Sequence, residues 1–163
     1  MSSTPPMRVL TITLAFLLLV CGSKSSQAVQ IREVKPLGFG VFAILDTGSY
    51  RVVVETNGTT TTPDGGIHKL RPGQNAVFML TGFDPQFDFY VTIDPTTIAH
   101  TSGSPVFNID SYTFDPPNSS STLIHADPDG SLQVNIGATL RVPAATPLTP
   151  GNYRGTYNFM INF

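Results

Sequence analysis

The chain has 163 residues, carries 9 Lys and Arg against 11 Asp and Glu, and is only 12% charged. A charge so sparse and so nearly balanced excludes proteins that wrap nucleic acid, because clustered Lys and Arg supply that affinity. A hydrophobic content of 40%, with 11 Phe and 5 Tyr, is enough for one core and excludes wholesale disorder, while 14 Gly and 14 Pro imply many reversals.

The chain opens with an address. Val9 to Cys21 run apolar apart from Thr11 and Thr13, behind the basic Arg8 and ahead of a polar stretch from Gly22 to Gln27. These 13 residues fall short of the roughly 20 that a membrane-spanning helix needs. The pattern is that of a secretory signal peptide, an N-terminal helix, with Ser26 and Ala28 as the small residues before cleavage at Val29. Residues 1–28 are therefore read as signal peptide and 29–163 as one domain. A lipoprotein would carry its lipid on Cys21, but Val20 stands where a small residue is wanted, which favours loss of Cys21 with the signal.

The mature chain then has no Cys, relies on its core rather than on disulfides, and carries 7 basic against 11 acidic residues, a net charge of −4. It offers no basic patch for nucleic acid or anionic lipid, and no transmembrane helix is expected in it.

Beyond Ala28 no window places apolar residues at helical spacing over ten or more positions, so helix content near zero is expected. Runs rich in β-branched and aromatic residues predict strands at Gly40–Leu45, Tyr50–Thr56, Gly66–Leu70, Asn75–Thr81, Phe87–Ile93, Phe107–Phe114, Ser131–Gly137, Ala138–Pro143 and Tyr153–Phe163. Turn clusters such as Asn57-Gly58, Pro63-Asp64-Gly65-Gly66 and Asp127-Pro128-Asp129-Gly130 punctuate them, supplying positive φ or a preset φ. Short strands joined in this way predict an all-β antiparallel sandwich rather than a parallel sheet with helical crossovers.

In the last run Tyr153, Gly155, Tyr157, Phe159, Ile161 and Phe163 share one face, opposite Arg154, Thr156, Asn158 and Asn162, with Met160 as the exception. Leu132, Val134 and Ile136 alternate with Gln133 and Asn135. Val77 and Met79 alternate less strictly with Phe78 and Leu80. The unbroken Val52-Val53-Val54 predicts an inner strand covered on both faces or one beside an interface, ordinary core being favoured.

Several motifs in order carry a family resemblance. They are the opening Leu37-Gly38-Phe39-Gly40, then Asn57-Gly58 and Gly65-Gly66, Ala76-Val77-Phe78-Met79-Leu80-Thr81-Gly82, the run from Val134 to Val142 through Ile136-Gly137-Ala138-Thr139-Leu140, and the closing Gly151-Asn152-Tyr153-Arg154-Gly155-Thr156-Tyr157. Together they resemble the bacterial domain-of-unknown-function 4402 family over Leu37 to Phe163. The resemblance implies an exported, immunoglobulin-like domain of a Gram-negative bacterium, loosely similar to fimbrial modules, with no catalytic residues to carry over. Arg141 and the Pro143–Pro150 segment depart from the pattern.

Reactive constellations are weak. His68, His100 and His125 lie in no nucleophile elbow, and their spacings carry no metal signature. Asp127, Asp129 and Gly130 look like half a calcium loop, but Leu132, Gln133 and Val134 follow where donors are needed, which favours a turn. Asp84, Asp88 and Asp110 are the carboxylates a carbohydrate-active enzyme would draw on, without supporting spacing. Asn57-Gly58-Thr59 and Asn118-Ser119-Ser120 match glycosylation acceptors and read as turns, and Thr59–Thr62 as a solvated loop or edge.

No catalytic residue, metal ligand or cofactor is assigned, and the chain is expected not to be an enzyme. The leading expectation is a structural or adhesive module that is secreted, periplasmic or at the cell surface. Its partner would be a protein, a surface glycan or another copy joined by strand addition through Gln30–Val34. A small outer-membrane barrel, suggested by Phe163 on an aromatic strand, and a carbohydrate-active or carbohydrate-binding exported domain are the alternatives.

Overall fold

A pleated strand with alternating side chains buries one face, and this chain stacks such faces into layers. The computed structural model describes residues 28–163 apart from 95, 145 and 147, so the expected signal peptide up to Gln27, with Cys21, lies outside the described residues. Among the described residues there is no helix, and hence none long and apolar enough to cross a membrane.

The strands are β1 (Gln30–Lys35), β2 (Val41–Ile44), β3 (Tyr50–Val54), β4 (Thr60–Thr61), β5 (Ile67–Arg71), β6 (Ala76–Thr81), β7 (Tyr90–Ile93), β8 (Thr97–His100), β9 (Val106–Asp115), β10 (Leu132–Val142), β11 (Tyr153–Arg154) and β12 (Phe159–Asn162). Every ladder is antiparallel.

The axis of the fold is β10. Its first half pairs with β6 over Leu132–Ile136 and its second half with β3 over Ala138–Val142, while β9 runs along its other edge. The sheet extends through β1 outside β6, through β8 and β11 outside β9, and through β4 outside β3. Two separate pairs, β7 with β12 and β2 with β5, pack against it.

Both pairs cover the same face, because the buried Val134, Ile136, Ala138, Leu140 and Val142 alternate along one side of β10. The β7–β12 pair closes over Phe78, Leu80, Val134 and Ile136. The β2–β5 pair closes over Val52, Leu140 and Val142. Among the described residues the sheet is open, since β1 and β11 pair on one side only, whereas a membrane barrel has no edge.

Four expectations are corrected. The two strands predicted at 131–137 and 138–143 are one strand, because Gly137 does not end the ladder. A Cβ there would stand 2.6 Å from Thr113 Oγ1 and closer still to the Val54 carbonyl oxygen, so glycine admits the approach of β3. The single strand predicted at 153–163 is divided between two sheets, β11 on β8 and β12 on β7. Its alternation nevertheless survives the crossing, with Tyr153, Tyr157, Phe159 and Ile161 half-buried and Gly155 and Phe163 left exposed on that face.

The third concerns Gln30–Val34. The predicted strands omit it, yet it is edge strand β1, paired with β6. The fourth concerns Val52–Val54. Val52 and Val54 are buried but Val53 is only half so, because β3 is flanked by β10 and β4 within its sheet and covered on one face. Along β6 it is Phe78 and Leu80 that point inward, leaving Val77 and Met79 half-buried. Strand β8 went unforeseen because Thr97–His100 is too short and too mixed to show a period.

Candidate functional site: an apolar trough bordered by main chain

Strand β2 pairs with β5 on one side, and among the described residues no strand pairs with its other side. Beyond that edge the covering layer stops and leaves a trough of about 900 Å³. Its floor is Val52, Ile98, Phe107, Ile109, Leu140 and Val142, contributed by β3, β8, β9 and β10. One wall is residues 37–44 and the other is residues 148–157. Leu37, Phe39, Phe42 and Ile44 on the first wall are half-buried apolar side chains packed against the floor.

Local chemistry holds each wall. Gly38 N donates to Gln74 O at 2.9 Å, Gln74 N to Gly38 O at 2.7 Å, and Gln74 Nε2 to Pro36 O at 2.9 Å. Gly40 takes φ +97°, and a Cβ at Gly73 would collide with the Gly38 carbonyl oxygen, so glycine is needed on both segments. On the opposite wall Tyr153 pairs with His100, sets its ring 5.0 Å from that of Phe107 at a tilt of 31°, and donates its phenol to Thr149 O at 2.7 Å.

Among the described lining residues the titratable side chains are Arg71, Arg154, Tyr153 and Tyr157. The Tyr157 phenol donates to Glu33 Oε1 of β1. Burial, and then that bond to a carboxylate, push the phenol well above its ordinary 10.0. An apolar floor flanked by main-chain donors and acceptors suits noncovalent recognition of an extended chain or an apolar group.

The sequence candidates fall elsewhere, in separate settings. His68 lies exposed on β5 opposite Ala43. His100 closes a local turn with its Nδ1 2.6 Å from Ser102 Oγ. His125 Nδ1 lies 3.9 Å from Asp88 Oδ1 on the surface. Asp84 Oδ1 accepts from Gln86 N at 3.0 Å within a turn, and Asp110 accepts from Arg141 Nε at 2.7 Å.

The Asp127–Ser131 segment is a hairpin turn. Asp129 Oδ1 accepts from Ser131 N at 3.0 Å and Ser131 Oγ at 2.7 Å, and Gly130 takes φ +78°. Among the described residues no three of His, Cys, Asp and Glu gather as a metal site would require. Asn57 Oδ1 accepts from Thr59 N at 2.8 Å within a turn, as read, whereas Asn118 Oδ1 accepts from Val91 N at 2.7 Å and so ties its loop to β7, 27 residues away. The Thr59–Thr62 run includes β4, an edge strand as read, but Thr60 is buried, its Oγ1 accepting from Gly73 N at 2.8 Å.

The trough itself went unread in the sequence. The half-buried Phe39 and Phe42 beside glycines were its only local sign, and a covered core would look the same.

Facing solvent on the other side of the sheet is a row of charge. Arg51 and Arg141 are register partners on β3 and β10. Arg51 binds Asp64 through Nε at 3.2 Å, Nη2 at 3.1 Å and its backbone N at 2.8 Å. The Arg51 side-chain bond is the main reason that the Asp64 carboxyl sits below its ordinary 3.8. A carboxyl lowered by folding adds stability above its unfolded value, and that contribution is lost as the pH falls through the lowered folded value. Asp64→Asn is therefore expected to flatten acid sensitivity below about pH 4. Urea midpoints compared at about pH 5 and pH 2.5 check it. A parent and variant that lose stability in parallel would show the pair contributes nothing.

Fold and trough together define a layered, antiparallel all-β protein with an open groove in one layer. The chain belongs to the family described as domain of unknown function (DUF4402), whose model matches residues 29–163 and so takes in β1 as well as the motifs from Leu37 onward. Neither a curated protein nor a solved structure matches the chain.

Proposed function

We propose that this protein is an exported, non-enzymatic immunoglobulin-like β-sandwich. It serves as a structural or adhesive subunit at the surface of a Gram-negative bacterium, and it engages its partner by accepting an extended strand in the trough. The observation that carries the reading is the unpaired edge of β2 standing over an apolar floor. Main-chain groups on such an edge supply directional hydrogen bonds, and the apolar floor takes alternate side chains of the guest. Export is supported by the Val9–Cys21 run and the Ser26 and Ala28 positions.

The test is expression with a C-terminal tag in a Gram-negative host. The recovered protein should begin at Val29 and should be shaved from intact cells by added protease. Full-length protein confined to the cytoplasm would overturn the reading.

A further inference from the structure

We infer that Asn57 is a site of spontaneous covalent modification gated by the fold: the closed turn at 55–59 holds Asn57-Gly58 back from deamidation, and opening of that turn releases it. The inference is independent of the trough and of the surface role.

The reactive pair is set by the sequence. A side-chain amide is an electrophile, and the backbone nitrogen of the following residue can reach its Cγ. Gly58 has no side chain to screen that nitrogen, and Asn57-Gly58 is the one Asn-Gly pair in the chain. In the first step Gly58 N gives up its proton and bonds to Asn57 Cγ. The side-chain nitrogen leaves as ammonia, taking that proton, and a succinimide ring remains. Water then opens the ring at either carbonyl, which gives aspartate or its isomer linked through the side-chain carboxyl.

The folded turn withholds the nucleophile. Gly58 N donates to Glu55 O at 2.9 Å, so the proton that must leave is held by a carbonyl, and closing the ring destroys that bond. The amide side chain is committed too, since Asn57 Oδ1 accepts from Thr59 N at 2.8 Å. Glu55 N donates to Thr59 O at 2.8 Å, and Val54 and Val53 pair with Thr60 and Thr61 just beyond. Thr60 is buried and anchored, its Oγ1 accepting from Gly73 N, and Gly58 sits at φ +84° close to the buried Asn75. The turn therefore cannot rearrange toward the ring without breaking bonds to β3 and to the 73–75 segment. Asn57 itself is exposed, so water and base reach it as soon as the turn opens. Only opened molecules react, and the folded rate falls below that of the free chain by the open fraction.

The test is incubation of the recovered protein at mildly alkaline pH, in buffer and in urea, followed by peptide mapping with mass spectrometry for aspartate and its isomer at position 57. Loss of Asn57 is expected to be at least tenfold slower in buffer than in urea. Equal rates, or no modification in either, would overturn the inference. Glu55→Pro removes the N–H that closes the turn on Thr59 and should speed the loss in buffer while the amides of β10 keep their protection from hydrogen exchange. An unchanged rate would show that the turn is not the gate, and a rise accompanied by lost β10 protection would place the gate in global unfolding; either result would overturn the inference.

Discussion

Replacing Phe89 by Ala is expected to destabilise the folded chain by about 3–5 kcal/mol, the range found for a buried aromatic ring removed without collapse of its surroundings. Phe89 is fully buried, and its ring stacks 4.7 Å from that of Phe83. Its main chain is clamped as well, because Phe89 N donates to Ile124 O and Ile124 N to Phe89 O, each at 2.8 Å. That clamp joins two loops that cap the core over β6 and β10, so neither loop can slide inward to fill the space. A domain of this size has about 5–15 kcal/mol in all, so the variant should sit near its unfolding threshold. A fall in Tm of about 10–20 °C follows, measurable by thermal unfolding. Phe87→Ala is the control. Its side chain is 63% exposed, and a change within about 0.5 kcal/mol is expected. Equal losses for the two variants would mean that the ring of Phe89 is not the keystone described.

Gly137→Ala is the second large effect, with an expected loss of about 3 kcal/mol or more, at or above the upper end for overpacking. The added methyl would meet Thr113 Oγ1 at 2.6 Å and the Val54 carbonyl more closely still. The Thr113 hydroxyl can rotate away. The Val54 carbonyl cannot, since Val54 is the register partner of Ala138 and its neighbour Val53 is that of Thr139. The double variant Gly137→Ala with Thr113→Ala should therefore recover only a minor part of the loss in urea unfolding. Full recovery would show that the side chain, not the β3 backbone, sets the limit. The strain falls at the point where β10 changes partner from β6 to β3, so the amides of β3 should show the largest rise in hydrogen exchange.

The particular residues explain why some features were readable in the sequence and others were not. Leu132, Val134 and Ile136, and later Tyr153, Tyr157, Phe159 and Ile161, alternate with polar neighbours, and the structure turns these residues inward or half-inward. Alternation is a property of consecutive residues, so it needs no knowledge of the rest of the chain. The turn at Asp127–Gly130 was readable for the same reason, because Asp and Gly carry its conformation within a few residues. Gly137 and Gly155 misled the reading. A glycine inside a strand pattern is as consistent with a turn as with the close approach of another backbone, and only the neighbour distinguishes them. For Gly155 that neighbour is the Thr97 carbonyl of β8. The reactive candidates His68, His100 and His125 were already scattered in sequence, and folding leaves each in a different setting.

By itself the sequence determined the strand-rich character, the inward faces of β10 and of the last run, most reversals and the family, all of which rest on short-range patterns of side-chain polarity and backbone preference. Tertiary structure alone decided which strand lies beside which, that β10 serves two partners, that the last run divides between two sheets, and that β2 is left with an unpaired edge over an apolar floor. Those outcomes depend on main-chain hydrogen bonds, which every residue type except proline can make alike, and on burial summed over residues distant in the chain.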